Sequence, residues 1–334
     1  MSQSSGSPFD GLSPWSQLGS EGGLATETAE DPLLQAVARP RSVLVTGATG
    51  FVGGHLVTRL LAQGHRVRGL ARRPTQAGSA PPIDWWVGDV TRPDTLRGAA
   101  EGCDVVVHLV GVADERQNPG FYAVHVEGTR NVIAEAKRAG SKRLVYASVA
   151  GARVGGPGFF RTKYEAEAAV RASEIEFVIL RPSVVYGPGD QFTTVLAMLL
   201  KRLPVYPILG VGSLRLQPVS IEDVTDAMGQ ALVREDLANQ RFELAGPERL
   251  KFAKIVRIVA LALDLRRPLI QLPRQFSGPA LWLVRRLGLP TPVTPEQMEL
   301  FRESSLLSKS DNALRTTFRI EPLPFRVAVS DYLS

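Results

Sequence analysis

Val43-Leu-Val-Thr-Gly-Ala-Thr-Gly-Phe-Val-Gly-Gly-His55 is a short apolar run that breaks into closely spaced glycines and then resumes with helical periodicity. Ser42 to Thr46 reads as a buried strand, and Gly47, Gly50 and Gly53 fall at the spacing GxxGxxG where the chain turns into a helix. A turn made of glycines lets the backbone come close to a pyrophosphate, whose charge is then held by the N–H groups at the helix N-terminus. On that reading Gly47, Thr49, Gly50, Phe51, Val52 and Gly53 surround a dinucleotide. The same spacing also occurs in turns that bind nothing, so the rest of the chain must supply the other parts of a nucleotide site.

Working outward, Phe51 to Ala62 is expected to be a helix with Val52, Leu56, Leu60 and Leu61 toward a sheet, ended by Gly64. Val67 to Ala71 reads as a second strand, followed at once by Arg72-Arg73-Pro74. The residue after this strand meets the adenosine ribose in dinucleotide folds: an acid accepts from the 2′-hydroxyl, whereas Arg pairs with a 2′-phosphate. Arg72 therefore favours NADP(H) over NAD(H), against the plainer reading of two solvated arginines in a loop. Trp85 to Val90 is a third strand, with Gly88-Asp89 near its end. Asp89, beside Val90, either accepts from the adenine amino group or shapes the turn. Val105 to Val110 is nearly continuous apolar sequence, as in the centre of a parallel sheet covered on both faces, and Gly111 opens the loop beside the cofactor. Phe121 to Ala139 is expected to be one long helix. Arg143 to Ala147 is a strand ending at Ser148, and a glycine-rich loop over 151–158 leads into a helix with Lys163 and Glu167. Phe177 to Leu180 is the strand closed by Arg181-Pro182. This alternation predicts an α/β fold with right-handed crossovers, a doubly wound parallel Rossmann sheet.

Beyond Asp190 the pattern becomes more helical and richer in proline, which predicts a smaller, mostly helical C-terminal lobe. Leu214 to Thr225 runs from an extended piece into a helix capped near Ser220, and Phe242-Glu-Leu-Ala is a last sheet strand. The expected divisions are an acidic, disordered tail over 1–40, a Rossmann domain over 41–245 and a lobe over 246–334 interleaved with 183–215. Lys251 to Leu263 forms an amphipathic helix in that lobe, and Gly278 to Leu287 is apolar apart from Arg285 and Arg286. The segment with Phe276, Leu281, Trp282, Leu283 and Val284 either packs the lobe or touches a membrane peripherally. No stretch reaches the roughly 18 to 20 apolar residues that span a bilayer.

The 334 residues, 44% hydrophobic and 22% charged, describe an ordinary globular protein. Met1 to Val37 has no Lys or Arg and five acids, Asp10, Glu21, Glu27, Glu30 and Asp31, so the remainder carries +11 against +6 for the whole chain. That balance suits anionic partners such as dinucleotides, acidic proteins or an anionic membrane surface. The basic residues are dispersed and not interleaved with aromatics, which argues against nucleic acid. Cys103 stands alone, and His55, His65, His108 and His125 lack metal-ligand spacing, so the site is expected to be metal-free. The tail has neither a secretory nor a mitochondrial targeting pattern, which makes the expected location cytoplasmic, with peripheral attachment to the inner membrane as a variant.

The chain resembles the extended and atypical short-chain dehydrogenase/reductases, the NAD-dependent epimerase/dehydratase superfamily. The resemblance rests on Thr46-Gly-Ala-Thr-Gly-Phe-Val-Gly53, Gly88-Asp89, Val126-Glu-Gly-Thr-Arg-Asn131, Leu180-Arg-Pro-Ser-Val-Val-Tyr-Gly-Pro-Gly-Asp190 and Gln217-Pro-Val-Ser-Ile-Glu-Asp-Val224. Thr294-Pro-Glu-Gln-Met-Glu-Leu, Arg319-Ile-Glu-Pro-Leu-Pro-Phe and Tyr332-Leu333 look like the branch related to the NADPH-binding accessory subunit of respiratory complex I. In active members of the superfamily a Tyr and a Lys four residues later share one helix face. The Tyr exchanges a proton with substrate, Lys⁺ lowers the phenol pKa and binds the nicotinamide ribose, and a Ser polarises the substrate. Lys163, in Arg161-Thr-Lys-Tyr-Glu-Ala-Glu167, matches the Lys segment, and Ser148 matches the region of the Ser. The residue four before Lys163 is Phe159, whose ring has no exchangeable proton. Tyr164 is turned about 100° around the helix from Lys163. His125 stands where relatives often carry Asn.

The resemblance thus implies an intact cofactor site with incomplete proton transfer. The first expectation is an NAD(P)H-binding component, structural or redox-sensing, related to the complex I accessory subunit and working with a respiratory or other protein partner. The alternatives are an NADPH-dependent reductase or epimerase recruiting Ser148, His125, Tyr164 or water as proton donor, and a redox-responsive regulator.

Overall fold

The computed structural model describes residues 40–73, 83–113, 120–209, 214–272 and 312–333. The acidic tail up to residue 39, the apolar stretch from Phe276 to Leu287 and the motif Thr294 to Leu300 lie outside the described residues.

β1 (Ser42–Thr46) runs through the glycine turn into α1 (Phe51–Ala62), β2 (Arg66–Ala71) and β3 (Asp84–Val87). β4 (Val105–His108) follows, and then Tyr122–Glu127, wound as a π-helix that continues directly into α2 (Gly128–Ala139). β5 (Arg143–Ala147), α3 (Gly158–Arg171) and β6 (Glu176–Pro182) complete the expected alternation. The central sheet has seven strands in the order β11-β6-β5-β4-β1-β2-β3, where β11 is Gln240–Leu244, and every pairing in it is parallel. This is the doubly wound sheet that the alternation predicts. β1 lies between β2 and β4, so the chain leaves in opposite directions from two adjacent strands, and a crevice opens at their carboxyl ends.

The two faces of the sheet are packed by the period-2 alternation of its strands. Val43 and Val45 of β1 face a core shared with Leu56, Val57 and Leu60 of α1 and with Val224, Ala227 and Met228 of α5 (Ile221–Val233). Leu44 faces the opposite core, with Val132 and Ala136 of α2 and Ala166 and Val170 of α3. Ser220 caps α5 as expected, accepting from the Glu222 N–H.

Several boundaries differ from the sequence expectation. α1 buries Gly53, Leu56, Val57 and Leu60, whereas Val52 and Leu61 are only half-buried. The helix is turned so that Gly53 lies against the glycine turn. β3 ends at Val87 and β4 at His108, which frees Asp89, Val90, Leu109 and Val110 to line a cleft. The single helix expected over Phe121 to Ala139 begins with the π-helical turn, and Thr129 Oγ1, from the first turn of α2, donates back to its His125 carbonyl at 2.5 Å.

A second core forms the smaller lobe. It joins Leu196 and Leu200 of α4 (Thr193–Arg202), Ile255 and Val259 of α6 (Phe252–Ala262), and Phe325 and Val329 of the terminal helix Phe325–Leu333. Short strand pairs brace it: Val185–Tyr186 with Val219–Ser220, Arg215–Leu216 with Leu250–Lys251, and Tyr206–Leu209 with Leu269–Leu272. The short helix Ala313–Thr316 returns to the first core through Ala313 and Leu314, joined by Phe318. Among the described residues no helix is long and apolar enough to cross a membrane.

Candidate dinucleotide site

The glycine turn is sterically tight at two of its glycines. Gly47 has φ of +75°, a conformation that side chains strain, and a Cβ on Gly53 would lie 2.1 Å from the Gly47 carbonyl oxygen. Gly50 is the N-cap of α1, and no side chain caps that N-terminus or places an acid in its first turn. Uncapped N–H groups at an approachable backbone are what a pyrophosphate needs, so the turn fits a dinucleotide.

Two clefts meet over this turn and share Gly47, Thr49, Gly50, Leu109 and Gly111. The smaller, about 270 Å³, extends past the ends of β2 and β3 and is lined by Arg72, Asp89 and Val90. The exposed Arg72 thus stands in the wall of the smaller cleft, just past the end of β2. One Asp89 oxygen accepts from the N–H and hydroxyl of Thr91, at 2.9 and 2.8 Å, so Asp89 shapes the turn while still lining the cleft. The larger cleft, about 820 Å³, contains Phe51, Val52, Gly53, Val149, Phe159 and the loop over 183–192. The trough therefore brings together Gly47, Thr49, Gly50, Phe51, Val52, Gly53, Arg72, Asp89 and Val90.

Behind the turn, hydrogen bonds hold two buried histidines and fix the tautomer of His108. Thr129 Oγ1 donates to the His125 carbonyl, so it accepts from His108 Nε2 at 3.1 Å, and His108 Nδ1 then accepts from Thr46 Oγ1 at 2.7 Å. His125 Nδ1 lies 2.9 Å from Thr162 Oγ1, and His125 Nε2 lies 3.1 Å from both the N–H and the carbonyl oxygen of Val112. Burial, reinforced by the charge of Lys163, lowers His108 to about 3 and His125 to about 2. Both rings are therefore neutral at physiological pH. His125 also stacks on Phe121 and meets Phe159 edge to face, each at 5.3 Å between centroids.

Lys163 is buried, its ammonium donating to the Ala147 carbonyl at 3.0 Å and lying 5.1 Å from the Tyr146 ring centroid. Burial lowers its pKa to about 8, against an upward pull from Glu167. A Cβ on Gly111 would lie 3.3 Å from Lys163 Nζ, so the bare backbone at Gly111 leaves the ammonium next to the trough. Phe159, one helical turn before Lys163, lines the large cleft.

Ser148 is not brought to that cleft. Its hydroxyl donates to Glu167, which is fully buried and held by Arg181 through two nitrogens at 2.7 Å each. Val149, the next residue, lines the cleft instead. Tyr164 lies under the Arg171 guanidinium, 5.4 Å from its ring centroid. The Glu167–Arg181 pair and the Thr162–His125–Val112 link escaped sequence reasoning. The first joins residues 14 apart on different elements, and the second depends on where the π-turn aims His125.

Residues 47–197 match the family described as NAD(P)H-binding. The chain is 35% identical over 189 residues to a ceramide reductase of Caulobacter vibrioides, covering 54% of this chain and 57% of that protein. It is 31% identical over 295 residues to a 3 beta-hydroxysteroid dehydrogenase/Delta 5-->4-isomerase of Mycobacterium tuberculosis, with 75% and 78% covered. It is 27% identical to the mitochondrial NADH dehydrogenase [ubiquinone] 1 alpha subcomplex subunit 9 of Arabidopsis thaliana, covering 81% of this chain and 71% of that one. The crystal structure of gox2253 superposes with a TM-score of 0.66 at 27% identity, covering 88% and 97%.

Proposed function

The chain belongs to the NAD-dependent epimerase/dehydratase group of the short-chain dehydrogenase/reductase superfamily, and on that premise we propose that it retains NADP(H) as a structural or redox-sensing element without Tyr-dependent turnover. The observation that carries this reading is Phe159, a phenyl ring in the cleft one helical turn before Lys163. The other side chains that could replace a phenol are placed elsewhere: Ser148 donates to Glu167, the Tyr164 ring lies against Arg171 and outside the cleft lining, and His125 is a neutral ring between Thr162 and Val112. The dinucleotide, when bound, supplies a hydride donor or acceptor. The chain's own part is to hold it. The α1 N-terminus takes the pyrophosphate, Arg72 takes the 2′-phosphate, and Lys163 donates to the nicotinamide ribose. Kinship with the Arabidopsis subunit favours a respiratory protein partner, and peripheral attachment at the inner membrane is part of the same proposal.

Purification followed by release and analysis of bound nucleotide tests the reading. A retained dinucleotide with a 2′-phosphate is expected, and a protein that binds NADPH no better than millimolar would overturn it. Phe159→Tyr is expected to introduce substrate-dependent NADPH oxidation absent from the parent chain. The names of the reductase and dehydrogenase relatives favour a second reading, an oxidoreductase with a substitute proton donor. It predicts that the parent chain already oxidises NADPH when given a carbonyl substrate.

A further inference from the structure

We infer that the large cleft beyond the glycine turn takes an uncharged apolar molecule, a chain or ring system carrying one or two polar atoms, and not a nucleoside diphosphate sugar. The inference rests on the reading of this cleft as the nicotinamide side of a dinucleotide site, and it names what lies against that side. Ala113, Val149, Phe159, Val184, Val185 and Phe192 furnish much of the wall. The cleft's roughly 820 Å³ includes the space over Gly47, Gly50 and Gly53 that the dinucleotide takes, and the remainder, toward Phe159 and Phe192, is the guest's share.

Three polar side chains at this wall are committed to the protein, which leaves the uncharged Thr49 and Gln191 at its exposed rim to meet a polar atom of the guest. Ser183 donates its hydroxyl to the Gln217 carbonyl, and His55 Nε2 lies 2.9 Å from the Pro188 carbonyl oxygen. The buried Asp190 accepts from the N–H of Gly187 at 2.8 Å and from both the N–H and hydroxyl of Thr193 at 2.6 Å.

That last arrangement decides against an anionic guest. A diphosphate needs Arg, Lys or an open helix N-terminus to balance its charge. The α1 N-terminus is taken by the dinucleotide's own pyrophosphate, and the N-terminus of α4 at the other side of the cleft is closed by the Asp190 carboxylate. Among the described residues lining this cleft there is no Lys or Arg. Burying apolar surface against Val149, Phe159 and Phe192 is the gain the cleft can offer, and it scales with apolar area.

The test uses the full chain saturated with NADP⁺, with 2-octanone, 2-decanone and 2-dodecanone titrated by calorimetry beside UDP-glucose. Affinity is expected to rise about fourfold for each added methylene, with UDP-glucose silent. Flat affinity along the ketone series, or UDP-glucose binding more tightly than 2-decanone, overturns the inference. Val149→Glu is expected to weaken 2-decanone at least tenfold while NADP⁺ affinity changes less than twofold. The milder Val149→Thr should weaken it by a smaller factor in the same direction, and unchanged ketone affinity in a folded variant counts against the proposal. Failure of NADP⁺ to bind would sink the dinucleotide reading and with it the exclusion of UDP-glucose at the α1 N-terminus, whereas the ketone series, run without nucleotide, tests the apolar wall separately.

Discussion

A methyl group added at Gly53 would lie 2.1 Å from the Gly47 carbonyl oxygen and 2.9 Å from Ala48 Cα, where the neighbours are backbone and cannot swing away. Gly53→Ala must therefore push α1 off the turn. The expected cost is about 1–3 kcal/mol of stability, read in urea unfolding, with NADPH affinity falling by on the order of tenfold as the N–H groups leave their positions. At Gly54, by contrast, an added Cβ would meet nothing within 4 Å, so Gly54→Ala should leave NADPH affinity unchanged and raise stability by about 0.5–1 kcal/mol through helix propensity. Arg72 is exposed, and its contribution is selectivity. Arg72→Gln is expected to weaken NADPH by on the order of tenfold through loss of one charge-assisted contact, leaving NADH affinity nearly unchanged. Equal losses for the two nucleotides in parallel titrations would contradict an Arg72–phosphate contact.

At the scale of elements, α3 carries most of the chemistry because its 3.6-residue period stacks Phe159, Lys163 and Glu167 on one face. The face passes from the cleft, through a buried ammonium, to a buried carboxylate. Burial lowers Lys163 to about 8 in the folded chain from 10.5. Below about pH 8 both folded and unfolded states carry the proton, and the folded state bears the full desolvation cost. Between about pH 8 and 10.5 the unfolded chain binds more protons, so this residue's contribution to stability rises with pH. Unfolding midpoints of the parent chain minus Lys163→Met should show that rise. NADPH affinity should move the opposite way, falling as the ammonium loses its charge above about pH 8. The π-turn before α2 has a related role, since it aims His125 at both Thr162 of α3 and the Val112 backbone, tying the loop after β4 to the helix that carries Lys163.

For the whole molecule, the Glu167–Arg181 pair joins α3 to β6, and Arg181 also reaches Glu243 of β11 at 3.0 Å. Glu167 has 0% exposure, so it has no water to fall back on. Arg181→Met is expected to cost about 3 kcal/mol by stripping a buried carboxylate of its two shortest charge-assisted bonds, leaving it Ser148 and the longer contacts to Arg171 at 3.4 Å and Arg241 at 4.0 Å. The double variant Arg181→Met with Glu167→Leu should recover much of that loss in urea unfolding. A double variant no more stable than the single one would mean that the pair itself, and not the unpaired charge, carries the energy. The terminal helix completes the smaller lobe: Tyr332 lies 2.7 Å from the Thr193 hydroxyl, and Leu323 donates its N–H to Asp223 at 3.0 Å. The end of the chain thus braces the loop that walls the large cleft.

The amino-acid order by itself determined the alternation of strands and helices and the glycine turn at Gly47 and Gly53. It also placed Arg72 and Asp89 at strand ends and Phe159 one turn before Lys163. All of these are local: they follow from periodicity, from the missing Cβ of glycine and from spacing along one helix. Only the tertiary structure decided that Ser148 turns to Glu167 and away from the cleft, that His125 is a neutral strut, and that Asp190 closes the α4 N-terminus. The first two depend on partners brought close by strand order and by the π-turn. For Asp190 the bonds are short-range, but which cleft that helix end faces is set by the packing of two cores.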